Sequence, residues 1–437
     1  MTNLRPFQIF LLGVFFFLAI LSLILISNFK TSDKSDELAF GERVELWGPF
    51  PYDEVSDVLE EIEREYDGFE VVEYVEVPVN EFANTFVNAI AEGRSPDLVI
   101  LPHTELVAQR SKLTPLPYNT DGLSKRDLRN RYIDGTEIFA REDALYAIPL
   151  AVDPLVMYWN RDLFSGAGLA SAPRTWEEFI SSTAGSLTRN NGSRGLIQSA
   201  VAFGEYANVR NAAEVLAMLL LQSGSQMVVE ENGRYSVLLN DSLQTNGQPP
   251  MEAAVQFYTN FNNPSNPLYS WNRAMPEDRL SFISGDLAIY FGFGSEIDDL
   301  VRQNPNLNFD ISLPPQGAAA TVARTYGEFY GLAIPRAAYN QSGAFAVASI
   351  LANSTYTESL ANTLNLSPVR RDILSVGSDN EFTAVVRQAA LIARGWLSPT
   401  PSAVDNAFAS MLTDINSNKG KVSQVVRNAI SRLSQAY

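Results

Sequence analysis

The sequence has no cysteine. Disulfides, thiolate metal sites, thiol nucleophiles and a lipid-modified cysteine anchor are therefore excluded. Histidine is nearly absent as well. His103 is the sole imidazole, which rules out a His-rich metal site and leaves one possible imidazole base. Positive charge is the third shortage: Lys plus Arg number 32 against 50 Asp plus Glu, a net charge of −18. Nucleic-acid binding needs clustered Lys and Arg to neutralise phosphates, so no nucleic-acid partner is expected. Several motifs are missing too: G-x-S-x-G, H-E-x-x-H, the P-loop and the EF-hand loop. No repeat at solenoid periods and no low-complexity tract occurs.

What remains is a globular composition, 46% apolar and 19% charged. The 437 residues suffice for two or three domains' worth of core. The longest apolar stretch is N-terminal. Phe7 to Ile26 is a 20-residue run broken only by Gln8, Gly13 and Ser22. At about 1.5 Å per residue it spans roughly 30 Å, the thickness of a bilayer core. No small-residue cleavage pattern follows, so the run reads as an uncleaved transmembrane anchor; a cleaved signal peptide is the alternative. Residues 1–6 form a short tail and 27–40 a polar tether. Charge does not fix the orientation, because Arg5 and the amino terminus stand against Lys30 and Lys34.

Folded structure is expected from Gly41. Arg43 to Trp47 alternates as a strand does. Val55, Val58, Leu59, Ile62 and Tyr66 recur at helical spacing, with Gly68 as a C-terminal stop. Phe69 to Val77 reads as a second strand, Asn80 as the cap of a second helix ending at Gly93, and Leu98 to Leu101 as a third, fully apolar strand. This β-α-β-α-β order predicts a parallel, doubly wound sheet, since parallel strands need crossover helices. Two further strands are predicted at Ala147–Val152 and Leu155–Trp159, interrupted at Asp153-Pro154. Thr175-Trp-Glu-Glu178 has the form of a capping box. A helical zone covers Asn211–Ser223, and Gly233–Asp241 reads as one arm of a hairpin.

Several of these stretches resemble the family 1 extracellular solute-binding proteins, the maltose-binding-protein group. They are Val44-Glu-Leu-Trp47; Glu92-Gly-Arg-Ser-Pro-Asp97; the long segment from Leu145-Tyr-Ala-Ile-Pro149-Leu-Ala-Val-Asp153 through Tyr158-Trp-Asn-Arg-Asp162 to Thr175-Trp-Glu-Glu-Phe179; Arg279-Leu-Ser-Phe282-Ile-Ser-Gly285-Asp-Leu-Ala288; and the proline-rich break and helices after Trp396. They occur in family order over nearly all of residues 42–437. The resemblance implies an α/β fold of two lobes, each a doubly wound sheet flanked by helices, behind an N-terminal transmembrane helix. The first lobe is expected at 41–151 and 313–366, the second at 152–312 and 367–437. Crossings then fall near Pro149–Asp153, Asp310–Pro314 and Leu366–Arg370. The implied function is extracytoplasmic capture of a small solute, a sugar or oligosaccharide by family default, and its delivery to the permease of an ABC importer. No cofactor is implied. A tethered glycoside hydrolase or a ligand-sensing domain are the alternative classes.

The resemblance also nominates ligand contacts. Asp153 matches an acidic ligand-contacting position, and a carboxylate accepts from paired sugar hydroxyls. Trp47 and Phe50 lie where a loop faces the cleft. Glu205 and Tyr206 match an acidic-aromatic pair, while Tyr290 and Phe293 lie where members carry an aromatic sugar platform. Tyr326 and Glu328 follow the second crossing. Each has a plain structural alternative, such as a turn-shaping Asp or a core aromatic. Arg370 and Arg371 are read chiefly as caps of the third crossing, Trp396 as rim or core, and His103 as structural.

Overall fold

The computed structural model describes residues 40–41, 43–120, 123–192, 195–241 and 247–437. The expected anchor at Phe7–Ile26 and its tether lie outside them. Among the described residues no helix is long and apolar enough to cross a membrane.

The chain opens with the expected alternation. Strands β1 (Val44–Gly48), β2 (Val72–Glu76) and β3 (Leu98–Pro102) are joined through helices α1 (Tyr52–Glu63) and α2 (Val79–Ala91). β1 pairs in parallel with both neighbours, Leu46 opposite Tyr74 on one side and Leu98 on the other. α1 buries Val55, Val58, Leu59 and Ile62, the stripe its periodicity predicts. Gly68 and Gly93, with φ of 86° and 70°, sit in the left-handed region near the helix ends. Asn80 is not the cap of α2. Pro78 holds that position, and its fixed φ suits the helix entry without a side-chain bond.

Seven labelled strands and helices more complete the sheet region: β4 (Ile148–Asn160), β5 (Leu196–Val201), β6 (Leu287–Phe293), β7 (Phe309–Ser312), β8 (Thr325–Ala333), β9 (Ser367–Pro368) and α3 (Ala212–Gln222). The two strands expected around Asp153-Pro154 are one continuous strand, β4. Its partners explain why proline is tolerated. Ile148 to Pro154 pairs with β8, and Leu155 to Trp159 pairs with β6. Pro154 has no N–H to donate, and it sits where the ladder changes partner. The strand order is β2-β1-β3-β8-β4-β6-β5, with β7 and β9 also on β4. Two lobes are thus joined through shared strands: β8 pairs with β3, while β4 carries on to β6 and β7.

Local chemistry accounts for other details. Thr175 caps its helix by accepting from the Glu178 N–H at 3.1 Å, but Glu178 reaches back to the Arg174 N–H at 2.9 Å, one residue earlier than a capping box requires. The hairpin is Val228–Glu231 with Arg234–Val237, turned by Asn232-Gly233. Both turn residues have positive φ, 52° and 73°, as a tight two-residue turn needs. In the second lobe Trp176 packs against Phe203, Phe257 and Phe291.

Candidate functional site

The partner change on β4 assembles the polar centre of the molecule. Asp153 is buried and stands directly opposite Glu328 of β8. The turn Gly294–Glu296, immediately after β6, brings Ser295 to it. The Ser295 N–H donates to Asp153 Oδ1 at 3.1 Å and the Ser295 hydroxyl to Oδ2 at 2.5 Å. Burial pushes the Asp153 carboxyl up to about 8; the two Ser295 bonds oppose the rise, while Glu296 and Glu328 add to it.

Glu328 is half-buried. It accepts from the Thr104 hydroxyl at 3.3 Å, and burial raises its carboxyl to about 7 against the pull of Thr104 and Tyr330. Glu214, in the first turn of α3, is likewise raised to about 7 by burial, with Glu328 and Asp405 adding repulsion. Glu214 opens on a cavity of about 90 Å³, whose walls also include Thr104, Tyr326, Trp396, Ser398 and Asp405; Thr104 joins it to Glu328. The Tyr206 hydroxyl donates to Asp405 Oδ1 at 2.5 Å. Ser398 is 2% exposed and its hydroxyl has no hydrogen-bond partner.

Of the residues nominated from sequence, Asp153, Glu328, Tyr326 and Tyr206 belong to this assembly. Phe293 flanks it, its ring 6.3 Å from that of Tyr326. Phe50 packs edge-on against Tyr330 at 4.9 Å, and the Tyr74 hydroxyl fixes its backbone N–H and carbonyl at 3.2 and 2.8 Å.

Three nominated residues lie elsewhere. Trp47 shares a face of β1 with Glu45; its indole donates to that carboxylate at 2.6 Å, and both line a separate groove with Asn88 and Arg94. Tyr290 is 1% exposed, packs on Tyr158 and Phe282, and donates to Glu296 at 2.8 Å. It is core because alternation along β6 sends Tyr290 to the opposite face from Phe291 and Phe293. Glu205 turns toward Asn262, 3.3 Å away, and Arg273, 3.5 Å away.

The structural readings hold for the remaining candidates. His103 is fully buried and accepts through Nδ1 from the Phe329 N–H at 3.1 Å. Burial lowers its pKa to about 3, so it is a neutral packing residue at physiological pH. Arg370 binds Asp372 and the Ala352 carbonyl, and Arg371 binds Asp134. Trp396 is buried and forms cavity wall.

Sequence reasoning missed Thr104, Glu214, Ser295, Ser398 and Asp405. Glu214 alone left a readable trace. It is the sole charged residue in Ala212–Gln222, a helix that is otherwise almost wholly apolar. A lone acid in such a helix must be buried or face a cavity. Among the described residues no group of three or more His, Asp or Glu is arranged to hold a metal ion.

Comparison with known proteins agrees with this architecture. Binding proteins of Brucella abortus and Brucella suis are 29% identical over 134 residues, a match spanning 29% of this chain and 30% of theirs. A cyclo/maltodextrin-binding protein solved with maltotetraose superposes with a TM-score of 0.71 at 15% identity, covering 90% of this chain and 97% of that one. The sugar-binding protein MalE of Xanthomonas citri gives 0.70 at 16% identity, covering 90% and 97%. A solute-binding protein of Thermotoga lettingae solved with α-D-tagatose gives 0.68 at 16% identity, covering 91% and 100%. At these identities the likeness establishes the two-lobed fold. The family model for bacterial extracellular solute-binding proteins matches residues 57–385, most of the chain. This protein is therefore a member of the bacterial extracellular solute-binding protein family.

Proposed function

We propose that this protein captures a sugar or oligosaccharide between its lobes outside the cell, closes on it by a hinge, and presents it to an ABC importer permease. The observation that carries this reading is the cavity beside Glu328. Its walls come from Thr104, which follows β3 of the first lobe, and from Glu214 and Asp405, on helices reached only after the chain has crossed along β4. Only a closed arrangement lets one ligand touch both sets at once. Hydroxyl-accepting carboxylates beside aromatic faces suit a saccharide. The sugars bound by structural neighbours support the same class.

In this reading the lobes are 41–151 with 313–366, and 152–312 with 367–437. Ligand contacts centre on Asp153, Glu328, Tyr326 and Tyr206, with Phe293 and Phe50 at the margin. Phe7–Ile26 tethers the chain to the outer face of the membrane. The test is to titrate the full chain in detergent with a saccharide panel including maltotetraose and D-tagatose, following heat and small-angle scattering together. A binding saccharide is expected to contract the scattering profile and to be recovered unchanged. If no saccharide binds, if binding leaves the profile unaltered, or if product accumulates in proportion to protein, the reading fails.

A further inference from the structure

We infer that the cavity bounded by Glu214, Asp405, Tyr326 and Trp396 receives a protonated amine, so that the captured ligand is cationic at that end. This rests on the reading of the cleft as a saccharide site and narrows its chemistry to an amine-bearing one.

The first ground is charge without a counter-charge. Three other buried or half-buried acids are matched with guanidinium groups, Glu296 with Arg279 at 2.9 Å, Glu358 with Arg387 at 2.8 Å, and Glu230 with Arg110, whereas buried Asp278 is held by backbone N–H groups alone. Half-buried Glu214 and Glu328, and the more exposed Asp405 beside them, have no Lys or Arg partner among the described residues. Glu328 meets only hydroxyls, from Thr104 and Tyr330, and Asp405 meets the Tyr206 hydroxyl. Glu214 has nothing beyond its own backbone N–H. The next acid outward, Glu105, feels Lys112, but that cation acts on Glu105 and not on the cavity.

The second ground is independent of the acids. Ser398 lines the same cavity, is buried, and leaves its hydroxyl unpaired. A buried hydroxyl without a partner is costly unless a ligand satisfies it. Wall chemistry then chooses among ligand groups. The cavity, about 90 Å³, is open on one side, so it can take the amine-bearing end of a saccharide whose remainder lies outside it. Two of its walls, Tyr326 and Trp396, are aromatic, and aromatic faces attract cations. An ammonium also brings three donors to a ring of acceptors. A neutral hydroxyl brings one donor and leaves the mutual repulsion of Glu214, Glu328 and Asp405 in place. Burial holds Glu214 and Glu328 near neutrality, so a cation entering there ionises them fully and releases protons. The overall charge of −18 draws cations toward the protein before contact.

The experiment uses the full chain in detergent micelles and three probes: the β-1,4-linked disaccharide of glucosamine, its N,N′-diacetyl counterpart, and putrescine. Binding is followed by calorimetry in two buffers of different ionisation heat, near neutral pH. The glucosamine disaccharide is expected to bind about tenfold or more tighter than the diacetyl form, the scale of one charge-assisted hydrogen bond, with net proton release from the protein. Glu214→Gln is expected to erase most of that preference. Asp405→Asn, at an exposed position that folding tolerates, is expected to reduce it. If putrescine binds and no saccharide does, the amine inference stands and the saccharide reading falls. If the diacetyl form binds as well as the amine or better, the amine inference is overturned and the saccharide reading stands. If no amine binds at millimolar concentration, or if both variants keep the preference intact, the inference is overturned.

Discussion

Asp153 and Glu328 face each other across neighbouring antiparallel strands, and neither carboxyl has a cation beside it. Two like groups are held at the centre of the molecule by hydroxyls and one backbone N–H, so protonation state becomes part of the fold there.

The first prediction concerns Asp153. Its folded-state pKa of about 8 lies above the ordinary value of 3.8. A raised acid contributes stability that is fully present below the unfolded pKa and lost as pH rises through the folded one. Asp153→Asn keeps both Ser295 contacts, the amide oxygen accepting from the N–H and the amide nitrogen donating to the hydroxyl. The variant is expected to lack that part of the decline between about pH 4 and pH 8, gaining ~1–3 kcal/mol over the parent at the alkaline end. Denaturant unfolding across that range checks it; parallel curves for the two proteins would contradict it.

Ser295→Ala tests the same contact from the other side. Removing the hydroxyl leaves a buried acceptor unsatisfied at a cost of about 1–3 kcal/mol. Because that bond favours the charged carboxylate, the loss is expected to be larger above pH 8 than at pH 5, again read by denaturant unfolding.

His103 is the only histidine, which makes its titration simple to observe. With its pKa pushed down to about 3 by burial, its ring proton resonances are expected to stay constant from pH 8 to pH 4.5. A lowered base is neutral in the fold, so its contribution is present above about pH 6.5 and lost as pH falls toward 3. A midpoint near 6 in a proton NMR titration would show an exposed ring instead.

Gly327 sits on β8 opposite Pro154, where β4 changes partner. A Cβ there would lie 2.9 Å from both the Ala393 and Val152 side chains. Gly327→Ala is expected to cost about 1–3 kcal/mol through overpacking, with a lowered denaturant midpoint and an unchanged slope. Wild-type stability would show that Val152 yields freely.

The anchor is tested by fractionation. The full chain is expected to remain with membranes and to keep its N-terminal peptide, since Phe7–Ile26 is long enough to span and lacks a cleavage pattern. Recovery of soluble protein beginning between residues 28 and 40 would point to a cleaved signal.

The parts of this protein that were legible in its sequence are those fixed by near neighbours. The stripe Val55, Val58, Leu59 and Ile62 predicts its helix, and the apolar Leu98–Leu101 run predicts a buried strand. Pro154 misled because a proline reads as a break, whereas its pairing partners, far away in the sequence, decide whether its missing N–H matters. Trp47 and Tyr290 misled for a different reason. Residue type says that an aromatic is buried, but only strand register says on which face. Thr104, Ser398 and Asp405 are distant in the chain and meet only once both lobes are built, so no local pattern announces them; Glu214 is the exception, a lone acid in an apolar helix.

The continuity of β4 from one lobe into the other has a mechanical consequence. Sliding one lobe past the other would tear that hydrogen-bonded ladder, so the proposed closure is expected as torsion of β4 near Val152–Leu155. Asp153 and Glu328 thus sit on the axle. Under the proposed closure, a ligand held there would shift its contacts by very little, while the same twist, multiplied along the radius of each lobe, would sweep the outer rims through a much larger arc.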